Sequence, residues 1–362
     1  MSLKILYISP ENTAGTLSIW KKAHEENGHY CRYITFYPSS VGFTDDIVLN
    51  LPLVSSSNLY IKFRWFLQNY FYNRDPLIEK SEQYPKWKPI NFLEKFWFIF
   101  RDFIGKYKIE SLIIKYELDK FDIIHFEWGM DFYRDCRFAI KMKNKRKKII
   151  CHYHGPDLRT RGVISPLNEI TDINLTNEVD LLMRHPNINY IFLPFNTKKY
   201  KQKKKINTPI ILFHSTMNRY YKGSQIIIET CKKLENKYNI KFILMEKESN
   251  EKVLHMKQNC DINIDQISNT GGWGYGMNSI ESLSMGICTA TNMNTEMKNF
   301  LPDHPFYEIT KENLFIELEN LIKQPKKIME FGIRGKKWVE KKHDYKYVIK
   351  SLYKIYESKN II

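Results

Sequence analysis

Arg219 and Lys222 stand in a polar loop that follows an apolar run, residues 210–213, and Lys222 is followed directly by Gly223. Two cations placed where a strand gives way to a helix suit a diphosphate. The helix N-terminus offers free N–H groups and a partial positive charge, and the two side chains add full charges. About fifty residues on, Gly271, Gly272, Gly274 and Gly276 make a Gly-rich turn that opens a second helix carrying Glu281. Gly274 and Gly276 allow close backbone approach, so their N–H groups, with those of Met277 and Asn278, are candidates to meet phosphate or sugar. The Glu281 carboxylate is placed to accept from both ribose hydroxyls. A nucleotide diphosphate is therefore the first ligand expected. The competing readings are plainer: surface cations at a helix start, turn glycines, and a first-turn Glu complementing the helix dipole.

The N-terminal half offers weaker candidates. Gly15 sits where the first strand meets the first helix, and a residue without a side chain there lets a ligand come close to the backbone. Asn12 lies in the same loop. His154 ends the strand KKIICHY and is followed by Gly155, Pro156 and Asp157. It is a candidate functional histidine, with His125, at the end of FDIIHF, as competitor; either is equally readable as a structural histidine. Asp157 and Arg159 are candidate acceptor or phosphate contacts.

These residues need elements to hold them. Residues 3–8 read as a short buried parallel strand, 16–27 as a helix with Gly28 as its C-cap, and 30–36 as a second strand. This βαβ opening argues for a doubly wound sheet. Further strands are expected at 121–126, 148–153 and 190–193. A second α/β unit follows, with strands at 210–213, 240–245, 262–264 and 287–290 and helices at 222–237, 251–259 and 276–285. Helices at 313–323 and 328–358 close the chain. Domain boundaries are drawn at 1–196, 197–209 for a Lys-rich linker, 210–340, and 341–362 for a last helix packing toward the first domain.

Residues 58–116 form an insert dense in aromatics and cations. Trp65, Phe66, Tyr70, Phe71, Trp97, Phe98 and Phe100 interleave with Lys62, Arg64, Arg74, Lys95 and Arg101. Such helices suit an anionic membrane interface or a lipid-linked acceptor, and equally the cover of a sheet.

Composition sets the outer bounds. The chain has 362 residues, 43% hydrophobic, and a formal net charge of +16, which favours anionic partners. Two basic runs, 141–148 and 198–205, contribute to it. No nucleic-acid recognition module is visible, so no specific nucleic-acid partner is expected. Six cysteines stand singly, without a zinc knuckle or disulfide framework. No signal peptide or membrane-spanning run is expected, and the setting expected is cytoplasmic, with a peripheral place on the inner face of the plasma membrane as the variant.

The segment 210–288 resembles the donor domain of the retaining nucleotide-sugar glycosyltransferases of family 4. The matching residues are His214 to Arg219, then Lys222-Gly223, then GWGYGMNSIESLSMGICTA with Glu281 in the family's glutamate position, preceded by DINIDQ (261–266). In the first half, Asn12 and Gly15 resemble the family's N-x-x-G loop. FDIIHFEWG and HYHGPDLR stand where its later strand ends fall. The family commonly has a second glutamate, but eight positions before Glu281 this chain has Trp273.

The resemblance implies a GT-B fold, two Rossmann-like domains facing a central cleft. It implies catalytic roles for His154, Arg219 and Lys222. Nucleotide-sugar contacts are implied from Asn12, Gly15, Asn218, Gly274, Gly276, Met277, Asn278 and Glu281. His125, Asp157 and Arg159 are acceptor candidates, and no metal or other cofactor is expected. The function expected is transfer of a sugar from a nucleotide-diphosphate-sugar donor to a saccharide or lipid-linked acceptor in cell-surface glycan assembly, with retention. A 2-epimerase or hydrolase of the same fold, or a non-catalytic sugar-nucleotide-binding protein, stays open.

Overall fold

The computed structural model describes residues 2–52, 84–89 and 91–362. The calls on Lys62, Arg64, Trp65, Phe66, Tyr70, Phe71 and Arg74 lie outside the described residues.

Both expected α/β units are present. The first sheet has seven parallel strands in the order β3-β2-β1-β4-β5-β6-β7. They are β1 Lys4–Ser9, β2 Tyr30–Thr35, β3 Ile47–Val48, β4 Ile123–Glu127, β5 Lys148–Tyr153, β6 Ile173–Thr176 and β7 Ile188–Tyr190. The second has five, in the order β12-β11-β10-β8-β9. They are β8 Ile210–Thr216, β9 Ile240–Glu246, β10 Ile262–Ile264, β11 Cys288–Thr291 and β12 Tyr307–Glu308. Parallel strands buried on both faces read as continuous apolar runs, which is why β1, β4, β5 and β8 stand out in the sequence. The order reverses between β1 and β4 in one sheet and between β8 and β10 in the other. At such switch points the loops diverge and leave a crevice for a ligand.

Several elements differ from expectation, among them the short edge strands β3 and β12, which were not expected. Strand β6 has the sequence INLT, fully buried although half polar; Asn174 pairs through its backbone with Asn189 Nδ2 at 3.1 Å. Strand β7 lies earlier than 190–193. The expected closing helix 328–358 is two helices, Pro325–Lys342 and Tyr345–Ser358. Asp344 separates them: its carboxylate accepts from Lys346 N at 3.1 Å and from Thr197 Oγ1 at 2.6 Å, capping a new helix start. The second helix returns to the first sheet. Its Tyr345, Val348, Ile349, Leu352 and Tyr356 bury against Ile5, Tyr7, Leu17 and Trp20.

Of the 58–116 insert, the described parts are residues 84–89, where Lys86 bridges to Val163, and one long helix, Phe92–Lys115, started by Asn91, whose side chain accepts from Glu94 N at 2.9 Å. One of its faces covers the first sheet. Among the described residues no helix is long and apolar enough to cross a membrane.

Candidate nucleotide-sugar site

Strand β8 ends at Thr216, and the chain then makes one helical turn, Arg219–Lys222. Asn218 starts that turn, its side chain accepting from Tyr220 N at 2.9 Å. Gly223 ends it with φ +70°, and a Cβ there would lie 2.7 Å from Ile267. Only glycine makes this reversal without cost. The reversal sets Lys222 against the end of β10. Its Nζ donates to Asp265 at 2.6 Å and to the Ser215 carbonyl at 3.2 Å. An ammonium has three N–H groups, so one remains for a ligand.

Asp265 ties the site together. Besides Lys222 it accepts from Asn278 Nδ2 at 2.8 Å and Ser279 Oγ at 2.5 Å. Burial alone would raise its pKa, but the Lys222 charge and these hydrogen bonds outweigh burial and hold it at about 2. The loop after β8, the end of β10 and the start of the helix Met277–Ser284 thus share one buried carboxylate.

Glu281 is on that helix and 4% exposed. Lys257 Nζ lies 2.5 Å from its Oε2, and Asn250 Nδ2 donates to its Oε1 at 2.9 Å. An ionised carboxylate has about four acceptor positions, so about two stay open.

Lys222, Asn218, Met277, Asn278 and Glu281 line one cleft of about 340 Å³. Its opposite wall is Thr13, Ala14 and Phe43 from the first domain. The Asn250 N–H donates to the Val41 carbonyl at 3.3 Å across the two walls. Arg219 does not line this cleft. Its guanidinium is clamped by Glu246 through two contacts of 2.6 Å, and its side chain is 49% exposed.

The remaining donor-side candidates take supporting places. Gly15 has φ +70°, and a Cβ there would sit 2.6 Å from the Phe43 ring, so the glycine lets the cleft wall close. Asn12 is buried, its Nδ2 donating to the Thr44 carbonyl at 3.1 Å; it holds the loop behind Phe43 rather than lining the cleft. Gly274 packs against Met297, away from the cleft. Gly276 precedes the helix N-terminus with open space where a Cβ would be. Trp273 packs against an apolar cluster that includes Ile280, Leu283 and Met297.

On the acceptor side, His154 follows β5 and is held at both ring nitrogens. Nε2 lies 2.5 Å from Glu127 Oε2, and Nδ1 lies 2.9 Å from Asn177 Oδ1. The Glu127 carboxylate at one nitrogen and the Asn177 side-chain oxygen at the other favour the imidazolium form. Burial opposes that charge, but the buried Glu127 carboxylate outweighs it and raises the pKa to about 9. Glu127 also lies 3.5 Å from His152 Nδ1. The ligand atoms of Glu127, His152 and His154 fall within 4.8 Å of one another. Two ligands on one tetrahedral zinc sit about 3.3 Å apart, given bonds near 2.0 Å. The 2.5 Å contact is instead a hydrogen-bond length.

Asp157 turns inward. It accepts from the N–H groups of His154 (2.8 Å), Gly155 (2.8 Å) and Leu158 (2.7 Å), and so shapes the loop that presents His154. Arg159 is engaged by Glu178 at 2.7 Å and Asp180 at 2.5 Å, and donates to the Gly271 carbonyl of the second domain at 2.9 Å. It bridges the domains at the Gly-rich turn. His125 is corrected from the site to the core. It is 1% exposed, stacks 4.2 Å from Tyr7, and its Nε2 is 2.5 Å from the Tyr356 hydroxyl; burial, its largest influence, pushes its pKa down to about 3.

Residues missed in the sequence now matter: Asp265, Glu127, Asn250 and Lys257. Asp265 and Glu127 carried a usable signal, since each ends an apolar strand at a switch point. Lys257 carried none, because a lysine on a polar helix reads as surface.

Neither a family model nor a curated protein matches this sequence. Solved structures do, across nearly the whole chain. An α-glucosyltransferase in complex with UDP and a 13-mer DNA aligns with a TM-score of 0.58 at 11% identity, over 98% of this chain and 99% of its own. The chain has the GT-B fold. Anabaena HepE in complex with UDP and glucose aligns with a TM-score of 0.59 at 12% identity, over 98% and 100%. A putative UDP-N-acetylglucosamine 2-epimerase from Listeria monocytogenes aligns at 0.53 and 10%, over 98% and 95%. At these identities the likeness speaks for the fold, and the chemistry must be argued from the site.

Proposed function

We propose that the protein is a glycosyltransferase that moves a hexosyl or related sugar from a nucleotide-diphosphate-sugar donor to a saccharide or lipid-linked acceptor in cell-surface glycan assembly. One observation carries the reading. Lys222, the helix start at Met277 and Asn278, and the Glu281 carboxylate line a single cleft at a strand-order switch point, facing Thr13 and Ala14 of the other domain. That set offers a cation and N–H groups for a diphosphate and a carboxylate for a ribose.

Breaking the bond from sugar C1 to phosphate oxygen builds negative charge on the β-phosphate. The free N–H of Lys222 and the helix N-terminus stabilise that charge as it forms. Arg219 joins only if the Glu246 clamp opens. Retention, as in family 4, is the outcome expected. In that course the departing phosphate takes the proton of the acceptor hydroxyl as the new bond forms. His154, protonated and bonded at both nitrogens, is poorly suited to be the base that inversion needs. None of these steps uses a metal.

The three donor-like structural neighbours named above bind UDP or are named for a UDP-sugar, which makes uridine the first base to test. The likeness to an epimerase keeps a second reading, which product analysis without acceptor separates. Thermal shift with UDP, GDP and ADP, followed by turnover of the corresponding sugars, tests the proposal. Binding and turnover of none of them would sink it.

A further inference from the structure

The helix Phe92–Lys115 has two apolar faces, and among the described residues one of them is packed inside the fold. Ile109, Leu112 and Ile113 bury in the core of the first domain. On the other side Phe92, Phe96, Ile99, Phe103, Tyr107 and Ile114 stand in solvent; Phe103 is 76% and Tyr107 82% exposed. Steps of three, four and seven residues place these side chains on one stripe of an α-helix. A globular domain normally turns such a stripe inward, and contiguous exposed apolar surface marks an interaction site.

Charge says what covers it. Helical spacing puts the exposed Lys95 and Lys106 along one margin of the stripe and the exposed Lys108 and Lys115 along the other. Glu110, the acid on the stripe, is turned to the Tyr133 hydroxyl, which donates to it at 3.1 Å. A second copy of this chain docked face to face would bring lysine margins together, and each copy carries +16. An anionic bilayer has the opposite character on both counts. Its acyl boundary takes the apolar ridge, and its phosphates meet the lysines. The geometry points to this helix lying in the plane of an anionic membrane surface and seating the protein there. The inference stands apart from the donor-site reading, since vesicle binding needs no nucleotide.

The test uses the full chain with vesicles of phosphatidylcholine alone or mixed with phosphatidylglycerol, in a flotation assay. The wild type is expected to float with the mixed vesicles and weakly with the neutral ones. The variant Phe96→Ser/Phe103→Ser/Tyr107→Ser is expected to partition at least about tenfold less, since binding scales with buried apolar area. Lys95→Glu/Lys106→Glu should lose the preference for the anionic lipid. Melting temperature and nucleotide binding should stay at wild-type values in both. Four outcomes overturn the proposal: no binding of the wild type, equal binding to both vesicles, undiminished binding of the aromatic variant, or a fall of several degrees in its melting temperature, which would place the stripe inside the fold. A wild-type dimer that becomes a monomer in the aromatic variant overturns it too.

Discussion

Lys257, with no side-chain exposure, lies 2.5 Å from the Glu281 carboxylate. The proposed ribose-binding acid is therefore half of a buried ion pair. Breaking such a pair by removing one partner leaves a buried charge without compensation, which costs about 3–5 kcal/mol. Lys257→Met is expected to lower unfolding free energy by that order in urea denaturation. Adding Glu281→Leu to Lys257→Met should restore much of the loss while leaving UDP binding absent. A single variant as stable as wild type would show that the pair contributes nothing.

Lys222 and Arg219 look equivalent as two cations in one loop, but the structure separates them. Lys222 faces the cleft with one N–H free, whereas Arg219 is held outside it by Glu246. A hydrogen bond to a charged group contributes about 1.5–3 kcal/mol, so Lys222→Gln should weaken nucleoside-diphosphate binding by about tenfold to a hundredfold. Arg219→Gln should cost under about threefold, in the range of an exposed pair. Calorimetric titration with UDP reads both. Equal losses would mean that the Glu246 clamp opens when ligand binds.

The legible part of this protein was its strands. Buried parallel strands are apolar runs, so β1, β4, β5, β8 and β10 could be placed, and with them the loops that carry Lys222 and His154. The GT-B fold followed from that order together with the family resemblance. Strand β6 was hidden because Asn174 and Thr176 are polar yet buried. The break at Asp344 was hidden inside a continuous helical pattern. At the site, residue type was legible but partnership was not. His125 and His154 each end an apolar run, and only the fold shows one stacked on Tyr7 and the other between Glu127 and Asn177. Arg219 and Lys222 differ by three positions, and only the Gly223 reversal decides which reaches the cleft.

Gly15 gives a test of the wall opposite the donor. Its φ of +70° and the 2.6 Å from a Cβ to the Phe43 ring mean that any side chain is strained and pushes Phe43. A left-handed conformation costs a non-glycine residue about 1–2 kcal/mol. Gly15→Ala should therefore lose about that much stability or more. Because Phe43 lines the cleft, UDP-sugar turnover should fall further than melting temperature suggests. Parallel kinetics and thermal denaturation check this, and unchanged kinetics would remove the first-domain loop from the site.

The Glu127–His154 pair predicts a dependence on pH whose sign can be worked out. The folded pKa of His154 is raised to about 9, against about 6.5 when unfolded. Between these values the folded state holds a proton that the unfolded state has lost, so stability falls as pH rises. The contribution is complete below pH 6.5 and gone above 9, amounting to about 3 kcal/mol at most. Asp131 and Glu178, raised mainly by burial to about 7, and the buried cysteines, raised by burial, contribute stability that is likewise lost as pH rises, the carboxyls at and below pH 7 and the thiols from about 8.5 upward. The buried histidines lowered mainly by burial, His125, His214 and His343 among them, act in the opposite direction below about pH 6.5. The His154 contribution is therefore read as the difference between the wild type and its variant. Urea denaturation from pH 7 to 9 should therefore show a loss in the wild type that is much smaller in His154→Gln. Glu127→Gln should flatten it as well, because burial, the largest influence, then faces only the smaller opposing effects of Asp157 and Asn177. A slope that persists unchanged in both variants would assign it to another group.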